Sequence, residues 1–289
     1  MNITRLAHGP IIRPHMDERM GDNVNGPSLI EAPAWLRAPL GRYYLYFAHH
    51  DGDYIRMAYA DHLEGPWQIY SPGVMDLSAS GFAGHIASPD VHVDPDNQEI
   101  RMYFHGCEAP TEEDKPQFTR LALSTDGLNF RVATDNLGPA YLRAFRYRDS
   151  WYGVAMPGRT FCSTDGKSHF DEGPGVLPKR ARHSAVAIRG NKLRIVFTTV
   201  GDNPEHLQYT ELDLSAAWDV WSTTRPTSIL RPLRDYEGAD CPAQSSTYGV
   251  AKGRVRQLRD PALYVEDGKT YLLYVVAGES GIALARISD

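Results

Sequence analysis

The sequence predicts an all-β chain folded as a five-bladed β-propeller with four-stranded antiparallel blades. Three observations predict it: a strand, turn, strand unit recurs five times along the 289 residues, a third strand follows each pair, and the 3.6-residue apolar period of helices is nearly absent. One domain spanning 1–289 follows, because every repeat is needed to close the ring.

The first blade reads IEAPAWLRAPLGRYYLYFAHH (30–50) and aligns with LRDPALYVEDGKTYLLYVVAG (258–278) of the last. In both, a proline opens a short apolar strand, a turn follows, and an aromatic-rich strand comes next. The second blade, IASPDVHVDPDNQEIRMYFHGCE (86–108), keeps the proline and turns at 94–97 on residues that favour hairpins. Weaker copies, YLRAFRYRDSWYGVAMPG (141–158) and ARHSAVAIRGNKLRIVFTTVG (181–201), make blades three and four. Third strands are read in YIRMAYADHLEGPW, TRLALSTDGLNF, GRTFCSTDGKSHF, HLQYTELDLSAAW and GIALARISD, two of which share S-T-D-G. Outer strands such as VATDNLGP and EGPGVLP follow, but the last repeat ends without one. The amino-terminal LAHGPIIRP resembles these outer strands, so the N-terminal strand is expected to join the last blade and remove the open edges. A β-sandwich with similar turn spacing is the alternative, although it needs no repeated four-strand unit.

Composition narrows the partners. A hydrophobic share of 42% with 23% charged residues is a globular balance, and a net charge of −6 offers no basic field for nucleic acid. Cys107, Cys162 and Cys241 are far apart and make no C-x-x-C pair, which points to a reduced compartment and to cytoplasmic localisation. The opening MNITRLAHGPIIRP has no apolar run of leader length, and no segment approaches the 18 or so apolar residues of a membrane span, so no membrane partner is expected.

In a propeller the first strand of each blade lines the axis. The places where those strands are expected to begin are 30–35, 85–90, 141–146, 181–184 and 258–262. They supply Glu31, Asp90 and Asp260 together with His85, His183, Arg143 and Arg259. Charged groups there are costly to desolvate unless they pair or meet a polar ligand. Two readings stay open, a polar pocket and an ion-pair network plugging the axis. Second strands run out through His49, His50 and Asp51 in blade one, and through His105 and Glu108 in blade two, toward the same rim. Trp35 either stacks on a sugar or packs between blades. The insertion at 233–257 is too long for a simple connector and is expected over the pocket mouth, with Glu237 and Asp240 as spare acids.

The strings EAPAWL with GRYYLYF, RMAYADHLEGPW, SPDVHVDPD and LRDPALYVEDGKTYLLY resemble the five-bladed glycoside hydrolases of the family 43 type, with the related arabinanases, neoagarobiose hydrolases and fructosidases. The resemblance implies a glycosidase acting on an oligosaccharide. It implies Glu31 as general acid from the E-[AG]-P motif, Asp260 as base from the R-D-P motif, and Asp90 as the residue that tunes the acid. Inverting hydrolysis would want the acid and base roughly 6.5–9.5 Å apart. Trp35, His49, His85, His105, Arg143, His183 and Arg259 would then hold the substrate, the basic ones suiting an anionic group. The chain departs from the family pattern in two ways. Base, tuning Asp and acid normally follow in successive blades, whereas the acid here falls in the middle, and Ser88 stands where an Asp usually precedes the proline. No cofactor is expected. A calcium beside His183, as beside a histidine in some relatives, is the alternative to a hydrogen-bonded wall residue. A non-catalytic sugar-binding propeller and a phosphorolytic enzyme are the competing functions.

Overall fold

Five antiparallel sheets account for nearly all the regular structure, in a computed structural model that describes residues 1–50, 52–109 and 116–288. Blade one pairs Asn25–Glu31, Tyr43–Ala48, Tyr54–Ala60 and Gln68–Ile69, and blade two pairs Ile86–Asp94, Glu99–Cys107, Gln117–Ser124 and Arg131–Val132. Blade three runs Arg143–Tyr147, Ser150–Ala155, Arg159–Ser163 and Asp171–Gly175; blade four runs Ala181–Arg189, Lys192–Thr199, Leu207–Asp213 and Thr227–Leu230. Blade five takes Arg259–Glu266, Lys269–Val275 and Ile282–Ser288, and its fourth strand is Asn2–Arg5 from the other end of the chain.

The ring therefore closes as the repeat predicts, with a shift in register. The pairing strand is Asn2–Arg5, with Asn2 opposite Ser288 and Arg5 opposite Ala285, ahead of the expected LAHGPIIRP. That segment continues along the same edge, where the Ile11 and Ile12 amides donate to the Ile282 carbonyl. Every second residue of each inner strand faces a neighbouring blade, and five apolar clusters result, one at each blade junction. The cluster between blades one and two is built on Tyr46, Met57, Ile86 and Phe104, and that between blades five and one on Leu45, Phe47, Leu273 and Ile282. Among the described residues none of these clusters is centred on the axis, which instead holds cavities.

The repeated S-T-D-G turn has a packing role. In blade two the Ser124 hydroxyl accepts the Gly127 amide at 2.9 Å, and the Gly127 carbonyl accepts the Tyr46 hydroxyl of blade one at 2.9 Å. In blade three the Gly166 carbonyl accepts the Tyr103 hydroxyl of blade two at 2.7 Å. Tyr46 and Tyr103 are equivalent, since they pair with the equivalent inner-strand residues Ser28 and Asp90. Both glycines have positive φ, and a Cβ on either would lie 2.8 Å from the tyrosine oxygen. The motif survives in the two blades whose predecessor carries the tyrosine.

Closure is fastened by one buried carboxylate. Glu237, from the insertion before blade five, accepts from Arg5 Nε at 2.7 Å and Nη2 at 2.9 Å, from the Tyr274 hydroxyl at 2.9 Å, and from the Leu233 and Arg234 amides. It is fully buried, so it serves as a structural clasp rather than a spare acid of the site. Removing one partner of such a pair strands the other in a dry environment, costing about 3–5 kcal/mol. Glu237→Ala should lower the unfolding free energy by that amount, and with it the urea midpoint, whereas Glu31→Gln, at a half-exposed pair, should change the free energy by less than about 1 kcal/mol. Equal midpoints for the two variants would remove the clasp.

Candidate functional site at the entry face of the axis

Each inner strand enters the axis through an irregular step, and register fixes which residues are equivalent. Pairing shifts between Asn25 and Ser28, Ala87 and Asp90, Ala181 and Ser184, and Arg259 and Ala262. The residues at the shared bulge are therefore Gly26, Ser88, Arg182 and Asp260, with Tyr141 at the corresponding place ahead of blade three. Gly26, Ser88, Tyr141 and Asp260 all have positive φ, 57°, 46°, 60° and 37°. Such backbone costs a non-glycine residue roughly 1–3 kcal/mol and re-aims its side chain.

This register corrects the sequence alignment of blade one. The counterpart of Asp260-Pro261 is Gly26-Pro27, not Glu31 and the E-A-P that follows. Two X-Pro steps lie six residues apart in this blade, and both satisfy the repeat pattern. Glu31 is the last residue of its strand, roughly 17 Å beyond the bulge at 3.3 Å per residue. There its side chain is 51% exposed and pairs with Arg42 Nε at 3.0 Å. Trp35, further along, donates its indole N–H to the Thr125 carbonyl of blade two and packs between the blades.

Asp90 is also displaced from Asp260. It lies two residues past the bulge and lines a second cavity, of about 340 Å³, on the exit face with His92 and Tyr264. His92 Nε2 lies 2.8 Å from its carboxylate, and the Ala144 amide of blade three donates to it at 2.7 Å. Burial would raise its pKa, but His92, Arg143 and that amide outweigh burial and hold it below the usual range. Arg143 separates the two faces, donating to the Ser184 carbonyl at 3.1 Å and the Pro89 carbonyl at 2.7 Å, with Asp90 3.7 Å away. Glu31 is thus set apart from the other two acids, while Asp90 and Asp260 lie to either side of Arg143.

What does gather is a girdle of polar groups around a cavity of about 190 Å³ on the entry face, lined by blades one to four and by the insertion ahead of blade five. His50 comes from blade one, His85 and His105 from blade two, Tyr141 from blade three, Arg182 and His183 from blade four. Ring centroids step from His85 to His105 at 5.8 Å, to Tyr141 at 4.3 Å and to His183 at 5.1 Å. His183 Nε2 then lies 3.6 Å from Asp260 Oδ1 of blade five. Burial drives His105 and His183 well below the ordinary histidine range, with neighbouring cations adding to it, so both are neutral.

Asp260 is only 1% exposed. Its burial, then the nearby Glu279 charge, push its pKa up to about 7 against the opposing pull of Arg182, Arg259 and Arg143. Glu279 behaves oppositely: burial would raise it, but His50, Arg259 and Asn23 hold it at about 2. Arg259 Nη1 donates to Glu279 at 2.8 Å, His50 Nδ1 lies 3.2 Å from it, and the Asn23 amide donates to its other oxygen. Glu205 accepts a bidentate pair from Arg182 at 3.1 and 2.7 Å. Both acidic neighbours are thus committed to arginines, while Asp260 Oδ1, His105 Nδ1, Arg143 Nη2 and Asn25 Oδ1 are buried without a hydrogen-bond partner.

Arg259, His85, His105 and His183 are accordingly at the predicted level, and Arg143 lies just behind it. His49 lines an adjoining cavity with Asn23 and Glu279, and Asp51 falls outside the described residues. Glu108 pairs with Arg120 at the surface, and Asp240 with Arg254. Tyr141, Arg182, Glu205 and Glu279 were missed. The two acids follow the second strands of blades four and five, the same outlet that singles out His50 in blade one, so that rule extended to every repeat would have found them. Three guanidiniums surround His183, and a calcium beside it would want six to eight oxygens. Among the described residues no group of three or more His, Cys, Asp or Glu is disposed around a metal position. Among the described residues no helix is long and apolar enough to cross a membrane.

Comparison with known proteins fits this picture. The chain is 34% identical, over 299 aligned positions covering 92% of it and 83% of the relative, to the uncharacterized protein R118 of Acanthamoeba polyphaga mimivirus. The chain belongs to the R118 family. No family model matches it. In three dimensions the R118-family chain resembles a family-43 β-xylosidase/α-arabinofuranosidase from a compost metagenome, solved with xylotriose, at a TM-score of 0.64, 11% identity and coverage of 97% and 95%. It resembles equally a Cellvibrio cellulosa α-L-arabinanase solved with arabinohexaose, at a TM-score of 0.60, 11% identity and 92% coverage of each. The fold is shared with these glycoside hydrolases. Of the three acids that the resemblance implied, only Asp260 stands at a bulge; the equivalent places in the other blades of this R118-family chain carry Gly26, Ser88, Tyr141 and Arg182. Gly26 has no room for more, since a Cβ would lie 2.6 Å from Ser88 Cα.

The Asp260 shift has a thermodynamic consequence. A carboxyl whose folded pKa exceeds its unfolded value near 4 leaves stability intact below pH 4 and erodes it as pH rises toward about 7, by roughly 1.4 kcal/mol per unit. Asp260→Asn should melt with the wild type at pH 4, above it by an increasing margin up to pH 7, and at a constant margin beyond. A margin independent of pH would contradict the shift.

Proposed function

We propose that the chain is a carbohydrate-active enzyme in which Asp260 protonates the leaving glycosidic oxygen at the histidine-lined mouth. The observation that carries this is a carboxyl at the axial bulge that is buried, free of hydrogen bonds at Oδ1 and able to hold its proton to about pH 7. General acids are tuned in this way by burial and a neighbouring carboxylate. Likeness of fold to glycoside hydrolases solved with oligosaccharides supports the substrate class.

The second partner of the reaction differs from the paired carboxylates that the sequence suggested. Glu279 is ionised but bound on both oxygens, and its contribution is to lift the Asp260 pKa. Among the described residues no carboxylate lines this cavity, so an external nucleophile would attack the anomeric carbon directly and invert the configuration, a water giving its proton to a neutral histidine of the girdle such as His105 or His183. Water is one such nucleophile. The Arg143 guanidinium, whose Nη2 has no hydrogen-bond partner, favours a second reading, phosphorolysis. Phosphate oxygen then bonds to the anomeric carbon as the glycosidic bond breaks, Asp260 gives its proton to the departing alcohol, and a glycosyl phosphate results.

The test is a screen of aryl glycosides and plant or algal oligosaccharides with and without inorganic phosphate. Turnover should fall as pH rises through about 7, and Asp260→Asn should lower it about 10²–10⁴-fold, while Glu31→Gln leaves it unchanged. Turnover that needs phosphate selects phosphorolysis. A normal rate in Asp260→Asn refutes the acid assignment, and binding without any product favours a sugar-binding propeller.

A further inference from the structure

The insertion before blade five passes over the cavity and is held by the same charges that build it. Arg182, already bidentate on Glu205, donates Nη1 to the Thr247 carbonyl at 3.2 Å. Arg259, already on Glu279, donates Nη1 to the Gly249 carbonyl at 3.2 Å. The buried Ser246 is fixed from the other side, its amide donating to the Asp202 carbonyl at 3.1 Å and its hydroxyl accepting the Gly201 amide at 3.0 Å. Between these anchors stands Tyr248. Its backbone is clamped on both sides, yet its side chain is 63% exposed and lines the cavity mouth opposite Tyr141 and His183.

A scattered exposed aromatic needs no explanation, but this one is placed at some expense. Ordering a loop costs conformational entropy, and a tyrosine left in water returns little hydrophobic stabilisation. Two buried ion pairs spend a donor each on the carbonyls that flank it. An aromatic face held rigid beside a polar cavity matches a sugar ring, which presents C–H groups on one face and hydroxyls at its edge.

We infer that Tyr248 is the platform on which a sugar ring of the ligand stacks, and that Arg182 and Arg259 set its position. This rests on the carbohydrate reading above but not on catalysis. The direct test is calorimetric titration of the wild type, Tyr248→Phe and Tyr248→Ala with xylotriose and arabinohexaose, together with an array of plant and algal oligosaccharides. Tyr248→Phe should bind within about threefold of the wild type, and Tyr248→Ala about tenfold or more weakly, with an unchanged melting temperature because the ring is exposed. Wild-type binding retained in Tyr248→Ala overturns the platform alone. A wild type that binds no saccharide on the array overturns the carbohydrate reading and the platform with it.

Discussion

The structure depends on how five strands enter one axis. Four of the five inner strands carry a pairing irregularity at the same step, and in blade three the chain turns at Tyr141 just ahead of its strand. Four of the five bulge residues take a positive φ, three of them without being glycine. That strain is tolerated where the surroundings over-determine the backbone, and here the neighbouring blades do so. Ser88 of blade two fills the space that a side chain at Gly26 would need, and the Arg143 guanidinium ties the Pro89 carbonyl of blade two to the Ser184 carbonyl of blade four.

The same geometry decides the electrostatics. Because the apolar clusters sit at the blade junctions, the entry half of the axis is left to polar groups that must satisfy one another in a dry space. Arg182 with Glu205, and Arg259 with Glu279, are closed pairs with additional donors and acceptors around them. Asp260 is left as the carboxyl without a dedicated cation, and the cost of its charge is met by keeping the proton. The axis is thus both of the things the sequence left open. It is an ion-pair network behind a polar pocket, and the network fixes the residues that face the pocket.

The five repeats, their strand order and the closure at the amino terminus were legible because period-two patterning and turn residues are local signals. S-T-D-G was legible as a repeat, though its partner tyrosines lie in the preceding blade and could be recognised only with register in hand. That Asp260, His183, His85 and Arg259 share one level of the axis was legible from their position at the start of inner strands. Glu31 failed because Pro33 imitates Pro27, and a bulge adds a residue whose presence the alternation does not announce. Glu205 and Glu279 sit in outlet turns with no motif of their own, and the clamping of Thr247 and Gly249 depends on arginines from two blades.

The central claim is that burial on the axis keeps a proton on Asp260 at neutral pH. It is tested most directly by carboxyl-carbon NMR of chain labelled at aspartate, with Asp260→Asn used to assign the resonance. A titration centred near pH 7 is the expected result. A resonance already ionised at pH 5, with a midpoint near 4, would contradict the account.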